Sequence, residues 1–425
     1  MVNPLYATRA GIEAHQLTSL NKLIAEQVSH NPFWTKRLSK VGLEKGVQSI
    51  DEFFQKCPLL TKADLVQDQR EFRPFGSNHA KPLEAFTRFH QTSGTTGEPI
   101  RWLDTPEGWS GLVDNWIEVY RAAGVTKESR VYFAFSFGPF IGFWLAFDAA
   151  EHVGCLCLPG GSLTTGARLR AIFDNEVDTI CCTPTYAMRL AESLNEVGLD
   201  PGQSKLKRVI VAGEPGGSIL ETRLRFESLW PGARFFDHHG MTEVGPVTFE
   251  APSVAGSLQV VESGYLVEVI DPESTEPVPL GTSGELVITT LNRWHSPVLR
   301  YRTGDLVKAV EGPAPDGSHN RLLEGGILGR ADDMVVVRGV NIHPSAVESV
   351  VRSLPQIHEY RVLVAEDREM TELRMEISVE GSSKTVAVQL EERLRLTFNL
   401  RIPVSVVPAD ALPKFEMKAK RWLRA

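Results

Sequence analysis

Between residues 130 and 230 short apolar runs alternate with helical stretches. RVYFAF, GCLCLP, TICCTP and RVIVAGE read as strands, and RLRAIFDN, YAMRLAESLNEVG and SILETRLRFESLW read as the helices between them. Near-continuous apolar strands are buried on both faces, and strands joined through helices lie parallel. This stretch therefore predicts a parallel sheet covered by helices on both sides, and that choice constrains the rest of the chain.

The flanks have different patterns. Residues 1–70 read as helical, with LTSLNKLIAEQVSH broken by Asn31-Pro32. Beyond residue 250, GYLVEVID and GELVITTL are strands separated by the turn-rich PESTEPVPLGTS, which predicts antiparallel β structure. Residues 309–320, AVEGPAPDGSHN, read as a surface loop. DDMVVVRGVNIHPSAVESVVRSL then reads strand, turn, helix. Pro344 suits the first helical turn, Ser345 and Glu348 have the spacing of a capping box, and Val347, Val350, Val351 and Leu354 form one apolar face. YRVLVAE and LRMEISVE with the helix VAVQLEERLRLTF complete a small α+β unit. At 425 residues the chain exceeds what one core usually supports. The expected fold class is α/β: a large unit over 1–331, with a mixed or parallel sheet, helices and an antiparallel β part, and a small α+β unit over 332–425.

Composition excludes several classes. A formal net charge of −8 argues against a protein dedicated to nucleic acid. With 42% apolar and 23% charged residues the chain is too apolar for disorder. Cys57, Cys155, Cys157, Cys181 and Cys182 show no C-x-x-C spacing, and the last four are expected in buried strands as small hydrophobes, not as metal ligands. Reduced thiols point to the cytoplasm. The start, MVNPLYATRAGIEAHQL, has no apolar core of a signal peptide. Residues 131–150 are apolar enough to suggest a membrane span, but Pro139 splits them, so no membrane association is expected.

HQTSGTTGEPIRW, residues 90–102, sets Thr92, Ser93, Thr95 and Thr96 around Gly94 and Gly97. Successive backbone N–H groups in such a glycine-rich turn form a concave nest for phosphate oxygens, and hydroxyls add neutral donors. A solvated linker has the same composition. Neither G-x-x-x-x-G-K-[ST], nor a G-x-G-x-x-G fingerprint, nor G-x-S-x-G, nor H-E-x-x-H occurs. AGEPGG (212–217) follows RVIV, at the carboxyl end of a predicted parallel strand, where ligands bind in α/β sheets. DHHGMTEVGP (237–246), RYRTGDL (300–306) and GRADDMVVVRGVNIHP (329–344) are further polar loops rich in glycine.

Together these stretches resemble the adenylate-forming superfamily of acyl-CoA ligases, on its phenylacetate-CoA ligase branch, from about residue 90 to 421. TSGTTGEP resembles the phosphate loop, HGMTEVGP the adenine and magnesium loop, RYRTGD the ribose segment, GRADDMVVVRGVN the hinge, and LPKFEMKAKR (412–421) the segment with the catalytic lysine. The resemblance implies ATP, Mg²⁺ and coenzyme A as cofactors, and roles for particular residues. Thr92, Ser93, Gly94, Thr95, Thr96 and Gly97 would hold the phosphates. Gly213, Glu214, Pro215, His238, His239 and Gly240 would line the adenine site, with Gly213 and His239 also reaching the acid pocket. Thr242 would contact the α-phosphate and Glu243 the magnesium ion. Asp305 and Arg330 would bind ribose, Asp332 would be the hinge, and Arg338 and Gly339 would border the CoA channel. Lys418 would stabilise charge during adenylation, carried in by a mobile small unit. The chain departs from the family pattern at Glu98, His239, Phe415 and Met417.

Eight aromatic side chains crowd residues 131–150, and Phe135, Phe137 and Phe140 flank the Gly138-Pro139 turn. In the family this region borders the acid pocket, so they are expected to line it and to favour an aromatic carboxylic acid of benzoate, anthranilate or phenylacetate type. Lys414, Lys418, Lys420, Arg421 and Arg424 give the tail a positive field suited to a phosphorylated thiol. That field serves coenzyme A and an acyl carrier protein equally. An aryl-CoA ligase, a stand-alone enzyme loading a carrier protein, and a nucleotide-binding relative without turnover are the three readings; a homodimer is an open assembly.

Overall fold

The computed structural model describes residues 4–92, 98–310, 312–314, 316–333, 335–337, 340–367, 370–379, 383–413 and 420–424. Four helices come first: α1 (Arg9–His30), α2 (Pro32–Ser39), α3 (Ile50–Lys56) and α4 (Lys62–Glu71). Asn31 separates α1 from α2 because its side chain accepts from the Phe33 amide and Pro32 opens the next helix. A hairpin follows, β1 (Arg88–Gln91) and β2 (Arg101–Asp104), then α5 (Pro106–Ala122).

The predicted α/β rhythm is present. Strands β3 (Arg130–Phe133), β4 (Leu156–Pro159), β5 (Thr179–Cys182), β6 (Arg208–Val211) and β7 (Arg234–Asp237) form one parallel sheet, in the order β4-β3-β5-β6-β7. Helices α6 (Ile141–Val153), α7 (Thr165–Asp174), α8 (Pro184–Glu192) and α9 (Leu220–Leu229) connect them. Alternate strand residues serve two cores. Val131, Phe133, Cys181 and Ile210 pack towards α5 and α6. Tyr132, Ile180, Cys182, Val209 and Val211 pack on the other side with Leu169, Leu190 and Phe226 from the connecting helices. Cys181 and Cys182 are buried as expected. Cys157 is only half-buried, because its strand β4 is the edge strand and one side of it has no neighbour, and so is Cys155, in the turn just before β4.

Short strands β8 (Gly240–Met241) and β9 (Gly245–Pro246) form a hairpin that leads into the antiparallel part. There β10 (Thr248–Glu250), β11 (Leu258–Val260), β12 (Tyr265–Ile270), β13 (Ser283–Thr290), β14 (Tyr301–Val310) and β15 (Leu322–Leu323) run in the order β10-β11-β15-β14-β13-β12. The two-residue β16 (Gly329–Arg330) pairs with β14. The C-terminal elements are β17 (Val335–Val337), β18 (Val340–Ile342), α10 (Pro344–Arg352), β19 (Ile357–Asp367), β20 (Met370–Val379), α11 (Ser383–Phe398), β21 (Val404–Val406) and β22 (Trp422–Arg424). Their sheet has the order β21-β20-β19-β22, and they bury a third core of their own around Ile342, Val347, Val351, Val362, Ile377 and Leu390. Among the described residues no helix is long and apolar enough to cross a membrane.

The capping box expected at α10 is absent. His343 is the N-cap and makes no side-chain cap bond, and the Ser345 hydroxyl donates instead to the Leu328 carbonyl. Glu348 is drawn into a buried charge cluster. Arg352 Nε donates to it at 2.7 Å, Arg421 Nη1 lies 3.6 Å away, and the Tyr360 hydroxyl donates to its other oxygen. Burial opposes ionisation, but Arg421 and Arg352 outweigh it and hold the carboxyl down at about 2. The lowered pKa contributes stability above about pH 4.5 that is lost as pH falls through about 2. Glu348→Ala leaves Arg352 buried without a carboxylate, while Arg421 keeps Glu359, and is expected to cost about 3 kcal/mol at pH 7. Denaturant unfolding should show variant and wild type converging only as pH falls through about 2.

Candidate active site

Strand pairing builds the centre of the site. Asp305 on β14 lies in register with Arg330 on β16, so the guanidinium meets the carboxylate across the pair, Nη1 to Oδ1 at 3.2 Å. Gly304, at φ +77°, permits this, since a Cβ there would stand 2.8 Å from Arg330 Nη2. The other Asp305 oxygen is 2.8 Å from His239 Nε2. Asp305 is buried and both of its oxygens face cations or donors. Arg330 reaches on to Asp332, with Nε to Oδ1 at 2.8 Å and Nη2 to Oδ2 at 3.0 Å. The predicted ribose pair, the hinge aspartate and one predicted adenine residue thus form a single network.

The β8–β9 hairpin carries Thr242 and Glu243 at its turn. Gly240 is required there, as a Cβ would lie 2.7 Å from the Gly245 carbonyl. The Tyr301 hydroxyl donates to Glu243 Oε1 at 3.3 Å. Burial, with Glu243 alongside, pushes the phenol pKa well up, so Tyr301 remains a donor. Arg293 Nη1 donates to the Thr242 carbonyl at 2.8 Å, while its Nε and Nη2 each meet Asp104 at 2.6 Å. This links the hairpin to the end of β2.

The adjacent histidines separate. His238 is buried edge-on against Trp116, with ring centroids 4.4 Å apart, and burial lowers its pKa to about 3. It packs in the core as a neutral ring. His239 turns the other way, towards Asp305. Gly213 stands in the left-handed region at φ +93°, in the turn after β6. Glu214 accepts from the Thr185 amide at 2.9 Å and so satisfies the N-terminus of α8. Pro215 and Gly216 border a cavity of about 180 Å³ between α8 and the C-terminal unit, shared with Met188, Arg352, Leu412 and Arg421. Ser218 donates to Asp237 Oδ2 at 2.5 Å, bringing the AGEPGG segment against the end of β7.

Thr92 is committed to its own hairpin. Its amide donates to the Ile100 carbonyl at 3.0 Å and its hydroxyl accepts from the Ile100 amide at 2.9 Å. Glu98 pairs with Arg70 on the surface at 3.1 Å. Phe135, Phe137 and Phe140 are half-buried in one aromatic cluster, where Phe135 stacks on Phe143 at 4.1 Å and Phe137 tilts on Trp144 at 4.8 Å. Ser93, Gly94, Thr95, Thr96, Gly97, Arg338, Gly339 and Lys418, with Phe415 and Met417, lie outside the described residues. Among the described residues no group of three or more His, Cys, Asp or Glu side chains could hold a metal. Arg293, Asp104 and Tyr301 were not anticipated. Tyr301 stands inside the quoted RYRTGDL, whereas nothing in the local sequence marks the other two.

The C-terminal unit docks on α9. Arg225 donates to the Ile357 carbonyl at 2.6 Å and the Ser349 hydroxyl to Glu221 at 3.0 Å. The fold is that of a 2-hydroxyisobutyryl-CoA ligase. Its postadenylation-state structure matches with a TM-score of 0.92 at 24% identity, covering 99% of this chain and 91% of that one. Its thioesterification-state structure matches with a TM-score of 0.74 at 25% identity over the same shares of the two chains.

The AMP-binding enzyme family model matches residues 44–292, and the AMP-binding enzyme C-terminal domain model matches residues 339–424. A phenylacetate-coenzyme A ligase of Thermus thermophilus is 31% identical over 376 residues, 87% of this chain and 82% of that protein. One from Pseudomonas putida is 31% identical over 424 residues, 96% of this chain and 93% of that protein. The chain belongs to the AMP-binding enzyme family, in its adenylate-forming, phenylacetate-CoA ligase-like branch.

Proposed function

We propose that the chain is an AMP-forming acid–CoA ligase for an aryl acid. The acid's carboxylate oxygen attacks the α-phosphorus of ATP, giving an acyl-adenylate and pyrophosphate. The thiol of coenzyme A then attacks the acyl carbon, forming the thioester and releasing AMP. The observation that carries this reading is Asp305, buried between His239 and Arg330 and joined through β14 to the hairpin bearing Thr242 and Glu243.

Each group has a role in that chemistry. Asp305 accepts from the ribose hydroxyls, held in orientation by its two neighbours. Gly213, Pro215 and Gly240 supply backbone at the adenine. Glu243 suits Mg²⁺, a hard cation that takes one or two carboxylates and draws its other ligands from phosphate and water, and Thr242, the residue before it, would contact the α-phosphate. When bound, the ion would offset repulsion between carboxylate and phosphate. Thr92 with residues 93–97 surrounds the leaving pyrophosphate, and Lys418 meets the charge that develops at the α-phosphate. We place the unit boundary and hinge at Asp332, whose pairing with Arg330 must loosen when the small unit turns, and the pantetheine at Arg338 and Gly339. The aromatic cluster around Phe135, Phe137 and Phe140 and the activity named for the two bacterial relatives both favour an aryl acid. Five unpaired cysteines suit the reducing cytoplasm.

The test is ATP–pyrophosphate exchange without thiol, across benzoate, anthranilate, phenylacetate and aliphatic acids. Exchange is expected with aryl acids and should fall by about 10²-fold or more in Lys418→Ala, the usual effect of removing a transition-state charge partner. No exchange with any acid, despite ATP binding, overturns the reading. Thioester formation with coenzyme A alone would then exclude a carrier protein as the required acceptor.

A further inference from the structure

The aromatic wall and the phosphate hairpin share a hydrogen-bonded turn. The Trp144 indole N–H on α6 donates to the Gly138 carbonyl at 2.9 Å. The next carbonyl, that of Pro139, accepts from the Gln91 amide at 2.8 Å. Gln91 is the last residue of β1, immediately before the TSGTTGEP run. A second tie lies further along α6, where Asp148 Oδ2 accepts from Arg88 Nη2 at 2.7 Å and from Trp109 Nε1 at 2.8 Å. Strand β1 is therefore held at one end by α6, which carries Phe143, Trp144 and Phe147, and at the other by the turn that leads into it.

The two carbonyl tethers differ in what they touch. Gly138 is free of side-chain restraint, and Pro139 has no N–H of its own to fix the turn. The indole holds the Gly138 carbonyl, and with Pro139 φ fixed by its ring the next carbonyl, which meets Gln91, is one backbone rotation away. The same indole packs on Phe137, with centroids 4.8 Å apart, in the cluster assigned to the acid. One indole thus touches both the aromatic cluster and the turn that holds the root of the hairpin.

We infer that Trp144 is a positioning residue that couples occupancy of the acid pocket to ATP affinity, through the Gly138-Pro139 turn and the Gln91 amide. The inference rests on the reading of the hairpin as the phosphate segment and of the aromatic cluster as the acid pocket. Allosteric couplings of this kind are typically about 5- to 150-fold in affinity, and binding is reciprocal.

Two variants separate the donor from the ring. Trp144→Phe keeps an aromatic ring but loses the N–H. Trp144→His places an Nε2–H at the same bond separation from Cγ as the indole N–H. The measurements are calorimetric affinities for α,β-methylene-ATP with Mg²⁺, alone and with saturating benzoate or phenylacetate, together with unfolding midpoints. In the wild type the acid should tighten the analogue about fivefold or more. Trp144→Phe should weaken the analogue alone by about three- to tenfold, the loss of roughly one hydrogen bond, and reduce the acid effect to under twofold. Trp144→His should restore both. Wild-type affinity in Trp144→Phe, or equal behaviour of the two variants at matched unfolding midpoints, overturns the inference. If the wild type binds neither acid, the assignment of the acid class fails instead, and the nucleotide-only comparison still decides the link. Hydrogen exchange at the Gln91 amide in the wild type gives a reading that needs no variant: it should slow when the analogue binds, and unchanged exchange counts against the link.

Discussion

Asp305→Ala is expected to lower kcat/KM for ATP by about 10²- to 10³-fold while leaving KM for the acid within about threefold. A carboxylate that accepts from two ribose hydroxyls makes two charge-assisted hydrogen bonds, each contributing about 1.5–3 kcal/mol. At 1.36 kcal/mol per decade, that range spans roughly two to four orders of magnitude. The lower part applies because the variant also frees His239 and Arg330, and both can turn towards the nucleotide. Arg330 retains Asp332 at 2.8 and 3.0 Å and is 40% exposed, so folding loses little. Asp305→Asn keeps an acceptor in place and should lose only about tenfold. The check is steady-state kinetics with each substrate varied, beside the unfolding midpoint. A loss of less than threefold in Asp305→Ala would remove Asp305 from the nucleotide site, and a loss that appears only in the midpoint would make it a structural residue.

The legible part of the molecule is the part that repeats. Residues of β3, β5 and β6 serve two cores in turn, and the near-continuous apolar runs that burial on both faces requires are visible in the chain before any fold is known. Asp305 and Arg330 were also readable, since each lies in a short motif and the pairing of β14 with β16 only brings the two motifs together. The hidden features depend on tertiary neighbours. Sequence offers two adjacent histidines, but only the packing of Trp116 shows that His238 faces the core and His239 the site. Ser345 and Glu348 have capping-box spacing, yet Leu328 and the arginines 352 and 421 lie within reach and make the competing bonds. Cys155 and Cys157 stand in an apolar run like that of Cys181 and Cys182, and only the strand order shows that β4, which begins just after Cys155, is an edge. Asp104 and Arg293 are 189 residues apart, beyond any local pattern.

That last pair leads to the second large effect. Arg293 and Asp104 are both fully buried, bound through two contacts of 2.6 Å, and the third guanidinium nitrogen holds the Thr242 carbonyl. Arg293→Met leaves Asp104 charged and unpaired in the core and is expected to cost about 3–5 kcal/mol. Arg293→Lys should fall nearly as far, because one ammonium cannot reproduce a bidentate fork and a third bond. The double variant Asp104→Leu/Arg293→Met separates the two roles of the arginine. Replacing a buried ion pair with apolar groups of similar volume is often neutral or stabilising, so its unfolding free energy should return to within about 2 kcal/mol of wild type. Its adenylation rate should not return. Without the bond to Thr242 the hairpin bearing Glu243 loses its fixed position, and a misplacement of about 1 Å in a phosphoryl-transfer site costs about 10²-fold. A double variant that regains both stability and pyrophosphate exchange would show that Arg293 serves the core alone. One that regains only stability would assign the clamp on Thr242 to the alignment of the phosphates, a role that the family's short motifs do not contain because Asp104 and Arg293 lie outside them.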